Sequence, residues 1–345
     1  MNDIDGIIAY IKSYSGDPLQ IMEVCGSHTN AISKFGIRSL LPDNIRLVSG
    51  PGCPVCVTVS AYIDKLCELS KIDNNVVVTF GDMIRVKGSC ESLEDAKSRG
   101  GNVQFVYSPF DIFKLASDSK EKNFIFAAIG FETTIPIYAL MLEKIIESEI
   151  SNIQLLTSLK TMPNTIDWVC NNAPNISGFI APGHVSVITG SDIFIDIAKK
   201  FQKPFVVTGF TPEQILSAIY SITQLQGKGK VLNLYRSAVN SYPNRRSELL
   251  TSKYLYADDA SWRGIGCIPM SGLYLKKEYK RYDAGSFGLD EDKHFNKLCK
   301  CSEIIIGKSA PCDCPLFKTV CTPQTPQGAC MVSLEGACQN YFSLA

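Results

Sequence analysis

FIFAAIGFETT, residues 124–134, runs unbroken through apolar side chains to Gly130 and then gives way to Glu132, Thr133 and Thr134. A short apolar run without polar alternation reads as a strand covered on both faces, the condition of a parallel sheet with helices on either side. The same order of apolar run, glycine-bearing turn and helical pattern occurs before it at IMEVCG (21–26), IRLVSG (45–50), VVVTFG (76–81) and VQFVY (103–107). It occurs after it at IQLLTSL (153–159), SGFIAPG (177–183) and PFVVTG (204–209). Strands separated by helices imply parallel pairing through crossover connections, and so an α/β fold.

The helical segments carry their own signals. Ile4, Ile7, Ile8 and Ile11 have the spacing of an amphipathic helix, with Gly16 placed to end it. Val59, Ile63, Leu66 and Ser70 keep one helical face, and Pro212 stands where a first turn begins before EQILSAIYSITQL. Eight strands predict two α/β units with parallel sheets, divided near residues 118–122 within the polar stretch SDSKEK. The expected domains are 1–120, 121–240 and 241–345, with residues 1–18 as a helix packing apart from the first. The third is expected to be a small, irregular, cysteine-rich domain, because prolines and glycines crowd among its cysteines.

Seven of the fourteen cysteines fall from residue 299 onward, whereas 34 basic residues balance 34 acidic ones. Zero net charge gives no electrostatic reason to expect nucleic acid. No apolar run approaches a membrane span, and MNDIDGIIAYIKSYSGD has neither the basic start nor the cleavage site of a signal peptide, so the expected location is cytoplasmic. In a reducing compartment, clustered thiols are metal ligands or redox groups more often than structural disulfides.

In open parallel sheets ligands bind outside the carboxyl ends of the strands. Reactive residues recur at those ends: Cys25 and His28, Cys53 and Cys56, Asp82 and Arg85, Glu132 with Thr133 and Thr134, and His184 with Ser186. Together they predict a site between the two α/β units. Cys53-Pro-Val-Cys56 is a CxxC on a turn leading into a helix, read as a redox dithiol in preference to half of a zinc site. Cys25 suits a nucleophile, a soft ligand for iron or a buried apolar side chain. The last is the default for Cys67, Cys90 and Cys170. In the tail, Cys301, Cys314, Cys321, Cys330 and Cys338 suit a [4Fe-4S] cluster or zinc, and their irregular spacing among prolines favours the cluster.

In this order the motifs resemble the HypD family of hydrogenase maturation proteins: CGSHT (25–29), GPGCPVCVT (50–58), TFGDMIRVKGS (79–89), GFETT (130–134), GFIAPGHVSVITG (178–190), WRGIGCIPMSGL (262–273) and GACMVSLEGAC (328–338). Lys87 and Val59 stand where the family more often has proline. The resemblance implies a scaffold that assembles the Fe(CN)2CO unit of [NiFe]-hydrogenases with a HypC-type chaperone, and receives cyanide from HypE, itself fed by HypF. It implies iron held at Cys25 and a redox dithiol at Cys53 and Cys56. It also implies a [4Fe-4S] cluster in the tail, for which Cys301, Cys314, Cys321 and Cys338 are the expected ligands and Cys330 the competitor. His28, His184 and Glu132 are the expected proton-transfer or hydrogen-bonding groups. A cluster-linked thiol–disulfide oxidoreductase acting on protein partners is the alternative.

Overall fold

The computed structural model describes residues 4–293 and 296–343. Eleven strands are present among them: β1 (Leu19–Glu23), β2 (Ile45–Ser49), β3 (Asn75–Thr79), β4 (Val103–Phe105), β5 (Asn123–Gly130), β6 (Ile153–Lys160), β7 (Gly178–Ala181), β8 (Phe205–Val207), β9 (Val231–Asn233), β10 (Leu255–Trp262) and β11 (Gly266–Leu275). They form two sheets, ordered β2-β1-β7-β8-β9 and β10-β11-β6-β5-β3-β4. Each of the eight apolar runs is a strand. The first sheet is parallel throughout, and in the second only β11 against β6 and β10 against β11 run antiparallel. The fold is α/β with two largely parallel sheets and a cysteine-rich C-terminal region.

The sheets do not follow the division expected at residues 118–122. β3 and β4, before that point, pair in one sheet with β5 and β6, after it, Val77 standing opposite Ile125. β1 and β2 instead join β7, across the register Ile21–Gly178. The polar stretch is only the turn between the helix Asp111–Asp118 and β5. Nor is the segment after residue 241 irregular from its start: β10 and β11 form a hairpin that extends the second sheet through Gly272–Lys160 and Leu273–Leu159.

The opening helix ends at Lys12, short of Gly16. It packs on the helix Pro212–Gln224, where the Tyr10 and Tyr220 rings meet edge to face at 5.0 Å and Gln224 Nε2 donates to the Tyr10 hydroxyl at 2.6 Å. That second helix begins at the expected Pro212, behind a capping box in which Thr211 and Gln214 satisfy each other's backbone N–H groups. In both sheets the central strands are apolar and buried on both faces, Ile21, Ile180 and Val206 in one and Val77, Phe126 and Leu156 in the other. Such burial fixes strand position, because a slip by one residue would exchange the two covered faces.

Candidate functional site: a cleft at two switch points

In the first sheet the chain passes from β1 outward to β2 and later adds β7 on the other side, so strand order reverses between β1 and β7. In the second it reverses between β3 and β5, which lie on either side of the point where the chain turned from β3 to β4. Such reversals open crevices at the carboxyl ends of the strands. The loops after these four strands line one cleft of about 470 Å³, with Cys25 after β1, Asp82 after β3, Thr133 and Thr134 after β5, and His184 after β7. The expected meeting of strand-end residues is therefore present for these five.

Cys25 caps the helix Gly26–Lys34 in an extended conformation, and its carbonyl accepts from the N–H groups of His28 (2.9 Å) and Thr29 (3.1 Å). Burial, with the Glu335 carboxylate adding to it, pushes its thiol up to about 12. Burial thus favours the neutral thiol at Cys25, and coordination of a cation requires that its proton leave. Gly52 lies against its backbone: a Cβ there would come within 2.5 Å of the Cys25 nitrogen. The next residue, Cys53, is joined to Cys56 by a disulfide. Both sulfurs are buried, and the intervening Pro54 and Val55 form part of the cleft wall.

Both histidines pack on Phe210, whose ring centroid lies 4.6 Å from that of His28 and 4.3 Å from that of His184. His184 reaches the cleft, with Nδ1 3.4 Å from the Ser27 hydroxyl. His28 is fully buried, with Nε2 3.0 Å from the Gly209 carbonyl. Burial lowers it to about 4, so it is neutral and donates to that carbonyl. Its place is therefore under the cleft, bracing the loop after β8.

Glu132 also leaves the cleft. Its carboxylate accepts from the Met162 N–H at 2.8 Å and borders a separate, mainly apolar cavity of about 360 Å³. Neighbouring loop residues point to opposite sides, so Thr133 and Thr134 face one cavity and Glu132 the other. Burial raises this carboxyl to about 7. Arg85 turns toward the tail and donates to the Pro323 carbonyl. The Ser186 hydroxyl donates within its own turn to the Pro182 carbonyl at 2.8 Å. Cys67 and Cys170 are buried as expected, whereas Cys90 is exposed, because it lies in a surface loop.

Two acids escaped sequence reasoning. Glu23, on β1, is fully buried under Cys25, accepting from the Thr29 hydroxyl at 2.7 Å and the Cys25 N–H at 3.4 Å; burial raises it to about 7 despite these bonds. A glutamate inside the apolar run IMEVCG was the available signal. Glu335, from the tail, enters the cleft wall, and burial with the nearby Asp82 charge raises its carboxyl. Nothing in its local sequence announced this.

The tail brings thiols together differently. Cys330 lies beside both Cys301 and Cys338, its backbone N–H donating to Cys301 Sγ at 3.3 Å, and Cys299 lies beside Cys301. Cys321 accepts from the Gln327 N–H at 3.4 Å and feels the charges of Cys299, Cys301 and Cys314. The neighbouring Cys301 and Cys330 thiols lower Cys338 below the ordinary thiol value. Cys330, placed by sequence as a competitor, thus touches two of the expected ligands, while Cys314 meets the group through Cys321. Gly328 leaves room for the pair at one wall, since a Cβ there would lie 2.7 Å from Cys299 Sγ and 3.3 Å from Cys301 Sγ. Among the described residues no three His, Cys, Asp or Glu side chains are already set in the geometry of a metal site. The donor set is nonetheless all thiol and largely buried, the chemistry that iron–sulfur ligation requires. Among the same residues no helix is long and apolar enough to cross a membrane.

Comparison with known proteins identifies the family. The family described as "HypD: Hydrogenase formation hypA family" matches residues 2–345. A putative hydrogenase expression/formation protein of Methanocaldococcus jannaschii is 40% identical over 331 residues, covering 94% of this chain and 92% of its own. The hydrogenase maturation factor HypD of Escherichia coli is 39% identical over 344 residues, covering 96% and 90%. The hydrogenase maturation factor HypD1 of Bradyrhizobium diazoefficiens is 37% identical over 353 residues, covering 99% and 92%. With a match that runs through the cleft, the CxxC loop and the thiol-rich tail alike, the chain belongs to the HypD family.

Proposed function

We propose that this chain is a cytoplasmic [NiFe]-hydrogenase maturation factor that works with a HypC-type chaperone to assemble the Fe(CN)2CO unit, with cyanide coming from HypE and, before it, HypF. The observation that carries the reading is Cys25, held at the meeting of two switch points in a cleft whose wall includes the CxxC loop. The iron is cargo, and Cys25 is its ligand on this chain. A thiolate is a strong, soft donor suited to iron carrying cyanide and carbonyl. His184 and the Thr133 and Thr134 hydroxyls are placed to hydrogen-bond cyanide nitrogens, and His28 holds the loop behind them. Glu132 acts from its own cavity on the geometry of its loop, and has no direct path to the cargo.

Cys53 and Cys56 form the redox pair, storing two electrons as dithiol and releasing them on closing the disulfide. Cys301, Cys321 and Cys338, with Cys314 or its competitor Cys330, would hold a [4Fe-4S] cluster. When bound, that group supplies single-electron transfer. The alternative, an oxidoreductase for protein disulfides, asks a partner's sulfur to reach a pair that is 5% and 1% exposed, and burial disfavours it.

Infrared spectroscopy of the anaerobically purified chaperone complex tests the proposal. Wild-type protein shows cyanide and carbonyl stretching bands, and Cys25→Ala loses them while remaining folded by circular dichroism. Unchanged bands in Cys25→Ala would overturn the role given to this residue.

A further inference from the structure

Strand β1 ends on a side chain that packing alone does not explain. Glu23 is only 1% exposed, and among the described residues no other Asp or Glu lies so deep. A carboxylate in such a place is costly unless its oxygens are bonded. Its two oxygens go to the two ends of one turn: Oε1 accepts from the Thr29 hydroxyl at 2.7 Å and Oε2 from the Cys25 N–H at 3.4 Å. In a capping box, the acid that reaches back to the N-cap N–H stands three residues after the cap. Here that place belongs to His28, whose ring is bonded to the Gly209 carbonyl, and Glu23 serves the Cys25 N–H from the strand side. The backbone ties the same corner together, with the Gly50 N–H donating to the Glu23 carbonyl at 2.7 Å and the Gly26 N–H to the Gly52 carbonyl at 3.2 Å. Charge does not account for the acid, because its carboxylate opposes a thiolate at Cys25, whereas the N–H groups of Ser27 and His28 favour one.

We infer that Glu23 is the positioning residue for Cys25: by bonding the Cys25 N–H and the Thr29 hydroxyl together, it fixes the first helical turn in the orientation in which the sulfur takes iron. The inference rests on the iron site proposed above. Cys25 lines the cleft and Glu23 does not, so the acid touches no cargo and acts through the turn alone. A group that orients a metal ligand from behind typically governs metal retention by about 10–100-fold. Its bonds, and not its charge, are what the site uses. An uncharged side chain of the same shape therefore serves: the amide of Glu23→Gln can accept from the Cys25 N–H and donate to the Thr29 oxygen, while the Thr29 hydroxyl turns to the Cys25 carbonyl, 3.4 Å away. Glu23→Leu removes both bonds at similar volume, and Thr29→Val removes one of them without touching the acid.

The experiment is anaerobic purification of the full chain with its chaperone, followed by infrared spectroscopy of the carbonyl band and a urea melt of each protein. Glu23→Leu is expected to give a carbonyl band roughly tenfold weaker than wild type, with what remains broadened or shifted. Thr29→Val is expected to fall between the two, and Glu23→Gln to stay near wild type. A purely structural role would move the urea midpoint and leave the position and width of the carbonyl band unchanged. Wild-type protein with no carbonyl band overturns the iron reading itself. A wild-type band with an unaltered one in Glu23→Leu, or with Glu23→Gln as impaired as Glu23→Leu, overturns the positioning role alone. If Glu23→Leu does not fold by circular dichroism, Thr29→Val decides, and a wild-type band in that variant overturns the role.

Discussion

The cleft around Cys25 and the thiol pocket of the tail both gather reactive side chains, but by different means. At the cleft each residue is set by a strand end, so its position is inherited from two hydrogen-bonded sheets. In the tail the segments are short, the helices Cys301–Ile304, Ala329–Val332 and Ala337–Phe342 among them, and the thiols cluster together against the core. The first site is a product of the fold. The second is closer to a cause of local order, in the way metal-binding modules fold around their ligands.

Substitutions that press on each region separately test this contrast. Gly52→Ala is expected to have the largest effect, about 3 kcal/mol or more of global stability in urea melts, because its Cβ would meet fixed backbone at Cys25. If it unfolded at the wild-type midpoint, the strand-end site would be less rigid than argued.

Glu132→Gln comes next and depends on pH. A carboxyl raised from 4.5 to about 7 binds more protons in the folded state than in the unfolded one between those values. Its favourable contribution is therefore complete below pH 4.5 and lost as pH rises through 7. The variant, which keeps an acceptor for the Met162 N–H, is expected to gain on the order of 3 kcal/mol over wild type at pH 8 relative to pH 4.5. His28, lowered to about 4, acts in the opposite sense: its contribution is present above pH 6.5 and lost as pH falls through 4. Parallel stability profiles for Glu132→Gln and wild type would contradict the burial of this acid.

Gly328→Ala is expected to be milder, about 1–2 kcal/mol, because its new methyl meets movable sulfurs. Its effect should be confined to hydrogen exchange in residues 299–338 and to iron uptake, with the sheets unchanged. Gly81→Ala, which meets nothing within 4 Å, is the control, expected within about 0.5 kcal/mol. Loss of protection in β5 or β6 on Gly328→Ala would show the two regions to be one cooperative unit.

The same contrast explains what sequence could reveal. The buried parallel strands stood out because burial on both faces demands unbroken apolar runs such as FIFAAI. β9 spans three half-buried residues, and β10 and β11 mix Asp258, Asp259, Pro269 and Gly272 with aromatic residues, so no period marked them. Sheet membership was hidden, because pairing β1 with β7 rather than with β3 is decided by contacts distant in sequence. Cys25, Asp82, Thr133 and His184 were legible as strand-end residues. Which side of its loop Glu132 would face was not, since that depends on backbone direction through a few residues. Glu335 was unreadable for a further reason: its contact with the cleft is made by a segment that follows β1 by some three hundred positions.

The pairing of Ile21 with Gly178 also orders events during synthesis. Chain emerging from a ribosome at about 5–20 residues per second leaves β1 without its inner neighbour for roughly ten to thirty seconds. In that interval β3–β6 are complete and able to pair, while Cys25 waits on an unfinished edge. The cleft around Cys25 is therefore closed late, after the CxxC loop has emerged and last of all by Glu335 of the tail.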